Sequence, residues 1–111
     1  MRYFIPFPIL ISVLLTSVSG FSADDLAFAL SIKDHKFTPS ELTIPAGKRV
    51  KLVIKNLDPT PAEFESEDFK AEKIIPGDAE ISLLIGPLNA GRYAFFDEFH
   101  EDQTKGTLIV K

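Results

Sequence analysis

The sequence predicts an all-β sandwich of about seven or eight short strands, and three observations carry that expectation. Apolar and polar residues alternate with period two in several short runs, as half-buried strands require. Clusters of Pro, Gly and Asn fall between those runs at the spacing of turns. Ten phenylalanines in 111 residues supply large apolar bodies for a core between two sheets, enough for one modest domain.

Each element can be justified in order. Residues 27–32 (AFALSI) and 41–44 (ELTI) alternate and are separated by Pro39, and the turn Pro45-Ala-Gly47 closes the second run. In residues 48–55 (KRVKLVIK), Val50, Leu52 and Ile54 share one face while Arg49, Lys51 and Lys55 share the other, the pattern of a half-buried antiparallel strand. Asn56-Leu-Asp-Pro59 ends it. Alternation returns in residues 80–85 between Pro76-Gly77 and Gly86-Pro87. After Asn89-Ala-Gly91 come an apolar strand at 93–96 and a last strand at 107–111. Phe28, Phe37, Phe64, Phe69, Phe95 and Phe96 sit in or beside these runs. No window after residue 26 has the i, i+3, i+4 apolar spacing of a long helix.

Residues 1–23 have a different character. Arg2 precedes an apolar run over 9–15 and a small polar stretch over 16–23, the layout of a secretory signal. Pro6 and Pro8 shorten the apolar core well below the roughly 20 residues that span a bilayer, although a retained anchor is the alternative. Cleavage after Gly20 or Ser22 meets the small-residue requirement and leaves an exported domain over 24–111, which places the protein in the periplasm. That domain carries 11 basic and 16 acidic side chains, a net charge of −5 that repels nucleic acid and anionic lipid and favours cations. With no cysteine there is no disulfide, no lipoprotein form, no thiolate metal site and no thiol chemistry. Any metal must be held by oxygen and nitrogen. The chain has no phosphate-binding glycine loop, no HExxH and no GxSxG.

The stretch Phe37-Thr-Pro-Ser-Glu-Leu-Thr-Ile-Pro-Ala-Gly47, the strand ending Ile54-Lys-Asn56, Tyr93-Ala-Phe-Phe-Asp-Glu-Phe-His100 and the closing Gly106-Thr-Leu-Ile-Val110 together resemble the cupredoxin pattern. That resemblance implies a Greek-key β-sandwich with a metal site at one end, built from a loop and strand after the Asn and from the loop before the last strand. Blue-copper members place His, Cys, His and usually Met there. Here residues 61–65 read PAEFE at the early His position, Asp97 stands at the Cys position and no Met follows His100. A thiolate copper site is thereby excluded.

Three further segments, residues 62–66 (AEFES), 72–77 (EKIIPG) and 96–100 (FDEFH), are similar to the cysteine-free cupredoxin-like proteins of bacterial high-affinity ferrous iron uptake systems. The resemblance implies iron or copper as the bound ion and a membrane iron permease, or another periplasmic component of the uptake system, as partner.

The residues themselves nominate a metal site. On a strand, Glu63, Glu65 and Glu67 share one face and Phe64 the other. Carboxylates two apart repel unless a cation joins them, so Glu63 and Glu65 are candidate ligands, with Glu67 and Asp68 read as surface. Residues 97–102 pack five ionisable groups after an apolar strand, and carboxylate with imidazole suits Fe(II), Mn(II), Cu(II) or Zn(II). Asp97, His100 and Glu98 join the candidate set; His100 matches a cupredoxin ligand position. His35 is read as surface, and Glu72 as a salt-bridged edge residue or an outer partner. Three functions follow. The leading one is a periplasmic carrier of iron or copper for uptake. The others are a small ferroxidase, with carboxylates stabilising Fe(III), and a metal-free interaction domain whose acids are a solvated rim.

Overall fold

The computed structural model describes residues 26–111, and the expected signal segment at 1–23 lies outside them. Nine strands form two sheets: β1 (Leu26–Lys33), β2 (Lys36–Thr38), β3 (Glu41–Ile44), β4 (Val50–Asn56), β5 (Ala62–Ser66), β6 (Ala71–Ile75), β7 (Glu80–Ile85), β8 (Gly91–Asp97) and β9 (Lys105–Val110). A 3₁₀ turn, Glu98–His100, joins β8 to the loop before β9, and the described residues contain no α-helix. The first sheet has the order β2-β1-β4-β7 and the second β3-β9-β8-β5-β6.

The expected sandwich is present, with one or two more strands than the alternation announced. β2 has three residues, too few for a period to show. The strand at 50–56 buries Val50, Leu52 and Ile54 as its alternation requires. Only one of its neighbours, β7, is antiparallel; β1 runs parallel to it, as β3 does to β9. A side-chain period reveals the buried face and says nothing about a partner's direction.

The core lies between the sheets. Phe37, Phe64 and Phe95 meet there in edge-on and tilted contacts, with centroids 4.9 to 6.3 Å apart, and Phe28 and Phe69 pack against it half-buried. Because side chains alternate across a strand, Phe96 follows the core residue Phe95 onto the outer face of its sheet, level with Glu65. Asn56 organises the β4–β5 loop. Its buried amide donates to the carbonyls of Thr60, Ile75 and Pro76 and its Oδ1 accepts from Asp58 N–H at 3.0 Å. That loop delivers β5 to the end of the sandwich where the ionisable residues gather.

Candidate metal centre

On β5, period two sends Ala62, Phe64 and Ser66 inward and Glu63 and Glu65 to the outer face. The antiparallel register with β6 sets Glu65 directly opposite Glu72 and Glu63 opposite Ile74. Like charges opposite one another destabilise a strand pair. The 3₁₀ turn adds Glu98 from the other side, and carboxylate oxygens of Glu63, Glu65, Glu72 and Glu98 all lie within 4.8 Å of one another.

Glu63 sets the character of this group. It is 7% exposed, and its Oε1 is buried without a hydrogen-bond partner among the described residues. Ionised carboxylates only accept, so its neighbours cannot satisfy that oxygen unless a proton is shared or a cation enters. Proton sharing with Glu98 and then Glu72, reinforced by burial and repulsion, pushes the Glu63 carboxyl from its ordinary 4.5 up to about 7. Glu65 rises to about 7 chiefly through hydrogen bonding to Glu98, then through burial and the repulsion of Glu98, Glu72 and Glu67.

Beside this group stands a second arrangement. Asp97, 1% exposed, accepts at Oδ1 from Glu63 N–H (2.8 Å) and Phe99 N–H (3.1 Å), the latter capping the 3₁₀ turn. Its Oδ2 lies 2.9 Å from His100 Nδ1. The His100 ring packs on His35 with centroids 4.0 Å apart and planes tilted by 34°. His35 occupies the two-residue turn between β1 and β2, where Asp34 and His35 both have positive φ, the mark of a type I′ hairpin. The carboxylate of Asp58 pins that turn by accepting from Asp34 N–H (2.7 Å) and His35 N–H (3.0 Å). Its pKa falls below the usual carboxylate range, chiefly through the His35 N–H, so Asp58 stays ionised.

A family model for the cupredoxin-like domain matches residues 6–110. The chain belongs to the cupredoxin-like domain family. It is 40% identical over 85 residues to an uncharacterised protein of Rickettsia prowazekii (strain Madrid E), covering 77% of this chain and 68% of that protein. Among solved structures it is similar to the metal binding domain of the Cu(I)-exporting P-type ATPase CopA of Streptococcus pneumoniae D39 (TM-score 0.70, 17% identity, 83% of this chain and 92% of that one). It is also similar to auracyanin A, a "blue" copper protein of Chloroflexus aurantiacus (TM-score 0.66, 14% identity, 78% and 99% covered). Amicyanin of Paracoccus versutus is a third (TM-score 0.61, 20% identity, 82% and 85% covered). At these identities the structural likeness is one of fold.

Within this cupredoxin-like chain, the residues nominated from sequence separate into two places. Glu63, Glu65 and Glu98 come together, and Glu72, read from sequence as an edge or outer residue, completes their group. Asp97 and His100 stand outside that group and bond to each other. Both oxygens of Asp97 are engaged by three donors, so it acts as a brace: it holds the β5 backbone at Glu63 and orients His100. His35 and Asp58 were not nominated. The hairpin that carries His35 leaves no periodic signal because β2 has three residues, and the residue that anchors its turn lies 23 positions away. Chemically, the four carboxylates form an all-oxygen set for a hard or borderline cation.

Proposed function

We propose that this cupredoxin-like chain is a periplasmic metal-binding protein that serves metal uptake without a type 1 blue-copper site. Its cargo is an iron ion held by Glu63, Glu65, Glu72 and Glu98 and passed to a membrane permease or another periplasmic component. The observation that carries this reading is the buried Glu63 Oε1, left without a partner inside a ring of three further carboxylates. Glu63 is buried, Glu65 half-buried and Glu72 and Glu98 exposed, so the cost falls chiefly on Glu63, and a multivalent cation offsets both the repulsion among the four and the orphaned acceptor. The donor set fits such an ion: four oxygens suit iron or manganese, whereas the thiolate of a blue-copper centre has no cysteine to supply it. The net charge of the domain supports a cationic cargo. The copper in similar folds makes a copper ion a reasonable further ligand, more suited to imidazole than to this carboxylate ring.

Carrier and enzyme part company in a single assay. Purified protein given Fe(II) under air should bind it and should not raise dioxygen consumption above the buffer rate, and Glu63→Gln with Glu65→Gln should weaken binding at least about tenfold. Multiple-turnover oxygen uptake that vanishes in the same double variant would place the protein among the ferroxidases instead.

A further inference from the structure

We propose that His35 and His100 form a second, nitrogen-donor metal site, separate from the carboxylate ring and suited to Cu(II) or a neighbouring late first-row divalent ion. The two rings meet with centroids 4.0 Å apart and planes tilted by 34°, although their residues lie far apart in the chain. Each ring has a carboxylate beside Nδ1: Asp97 Oδ2 at 2.9 Å from His100 and Asp58 Oδ2 at 3.8 Å from His35. At His100 the acceptor is within hydrogen-bond distance and selects the tautomer protonated at Nδ1, leaving the Nε2 lone pair free, the arrangement by which an outer carboxylate prepares a histidine for a metal. Asp58 stands beyond hydrogen-bond distance from the His35 ring and fixes His35 through its backbone N–H. The side chains are 36% and 26% exposed, so an ion from solvent can reach them.

The pair is held from behind. Thr104 is fully buried; its hydroxyl donates to the His35 carbonyl at 2.6 Å, and its N–H donates to the His100 carbonyl at 2.9 Å. One residue therefore fixes both backbones. His35 also sits at φ 59°, in the left-handed region where Gly or Asn would be less strained, and the Asp58 carboxylate locks it there. The turn thus holds the imidazole in a braced, accessible position, as a ligating side chain requires. The early ligand that the family resemblance implied lies at 61–65, so His35 brings a donor from a different part of the fold. Imidazole donors favour copper over the harder ions that suit carboxylates, so the two sites divide metals by ligand chemistry.

The test is Cu(II) titration of the purified chain followed by electron paramagnetic resonance. The first equivalent should show superhyperfine coupling to two imidazole nitrogens. His35→Asn, which keeps a residue tolerant of positive φ, and His100→Asn should each leave one nitrogen and weaken copper affinity at least about tenfold. Mn(II) bound at the carboxylate ring should be unchanged in His35→Asn and lost in Glu63→Gln with Glu65→Gln. If copper shows oxygen-only or single-nitrogen ligation in the wild type, or if both couplings survive His35→Asn, the proposal fails. Should Mn(II) fail to bind the wild type while the two-nitrogen copper signal is present, the carboxylate reading falls and this one stands.

Discussion

Replacing Asp97 by Ala removes the acceptor shared by Glu63 N–H, Phe99 N–H and His100 Nδ1, at 2.8, 3.1 and 2.9 Å. A hydrogen bond to an ionised group contributes about 1.5–3 kcal/mol to stability. Because one carboxylate serves all three donors, the losses do not add in full, and breaking a buried charged arrangement of this kind costs about 3–5 kcal/mol. That is a large share of the roughly 5–15 kcal/mol that stabilises a small domain. Asp97→Asn separates the contributions. Its carbonyl can still accept from both backbone N–H groups, while its amide faces His100 Nδ1 with a donor, so the expected loss is about 1–2 kcal/mol. The same change should reverse the His100 tautomer, placing the proton on Nε2. Urea unfolding followed by circular dichroism measures the stabilities, with equal m-values in all three proteins. Imidazole nitrogen chemical shifts report the tautomer. Asp97→Ala within about 0.5 kcal/mol of wild type, or Asn and Ala variants of equal stability, would refute the bracing role.

The raised carboxyls of Glu63 and Glu65 make the metal-free fold bind more protons than the unfolded chain between pH 4.5 and about 7. Their contribution to stability is therefore full below 4.5 and is lost as pH rises through about 7. The metal-free melting temperature should fall across that window, and Glu65→Gln should flatten the fall. Added Mn(II) should raise the melting temperature more above pH 7 than near pH 5, because protonated carboxyls must release their protons to bind an ion; equal shifts at both would contradict the site. In the core, Phe95→Ala should cost about 3–5 kcal/mol in urea unfolding, since its ring joins Phe37 and Phe64 and is almost wholly buried. A Cβ at Gly106 would collide with the outer atoms of that same ring, so Gly106→Ala should overpack the contact and cost about 1–3 kcal/mol, visible in the same transition.

What could be read from the sequence depended on the range over which each feature is set. The burial of Val50, Leu52 and Ile54, and the division of Glu63 and Glu65 from Phe64, follow from alternation within a single strand. The membership of Glu72 depends on the β5–β6 register, which places it opposite Glu65, and register is a property of two strands. Asp97 illustrates a different limit. Its acidic character and its place at the end of an apolar strand drew attention to it, yet whether such a residue faces an ion or braces the backbone is decided by the donors around it. The contact between His35 and His100 lay furthest from view. It needs a hairpin turn fixed by Asp58 and a loop fixed by Thr104, and neither anchor is near its histidine in the chain.

Anomalous diffraction from crystals of the wild-type protein grown with Mn(II) at about pH 7.5 tests the central claim most directly, because it locates the ion without recourse to a variant. A single strong peak within coordination distance of Glu63, Glu65, Glu72 and Glu98, with Glu63 Oε1 among its ligands, is the predicted result. Well-ordered crystals in which those four carboxylates surround only water, or a peak confined to some other part of the surface, would contradict it.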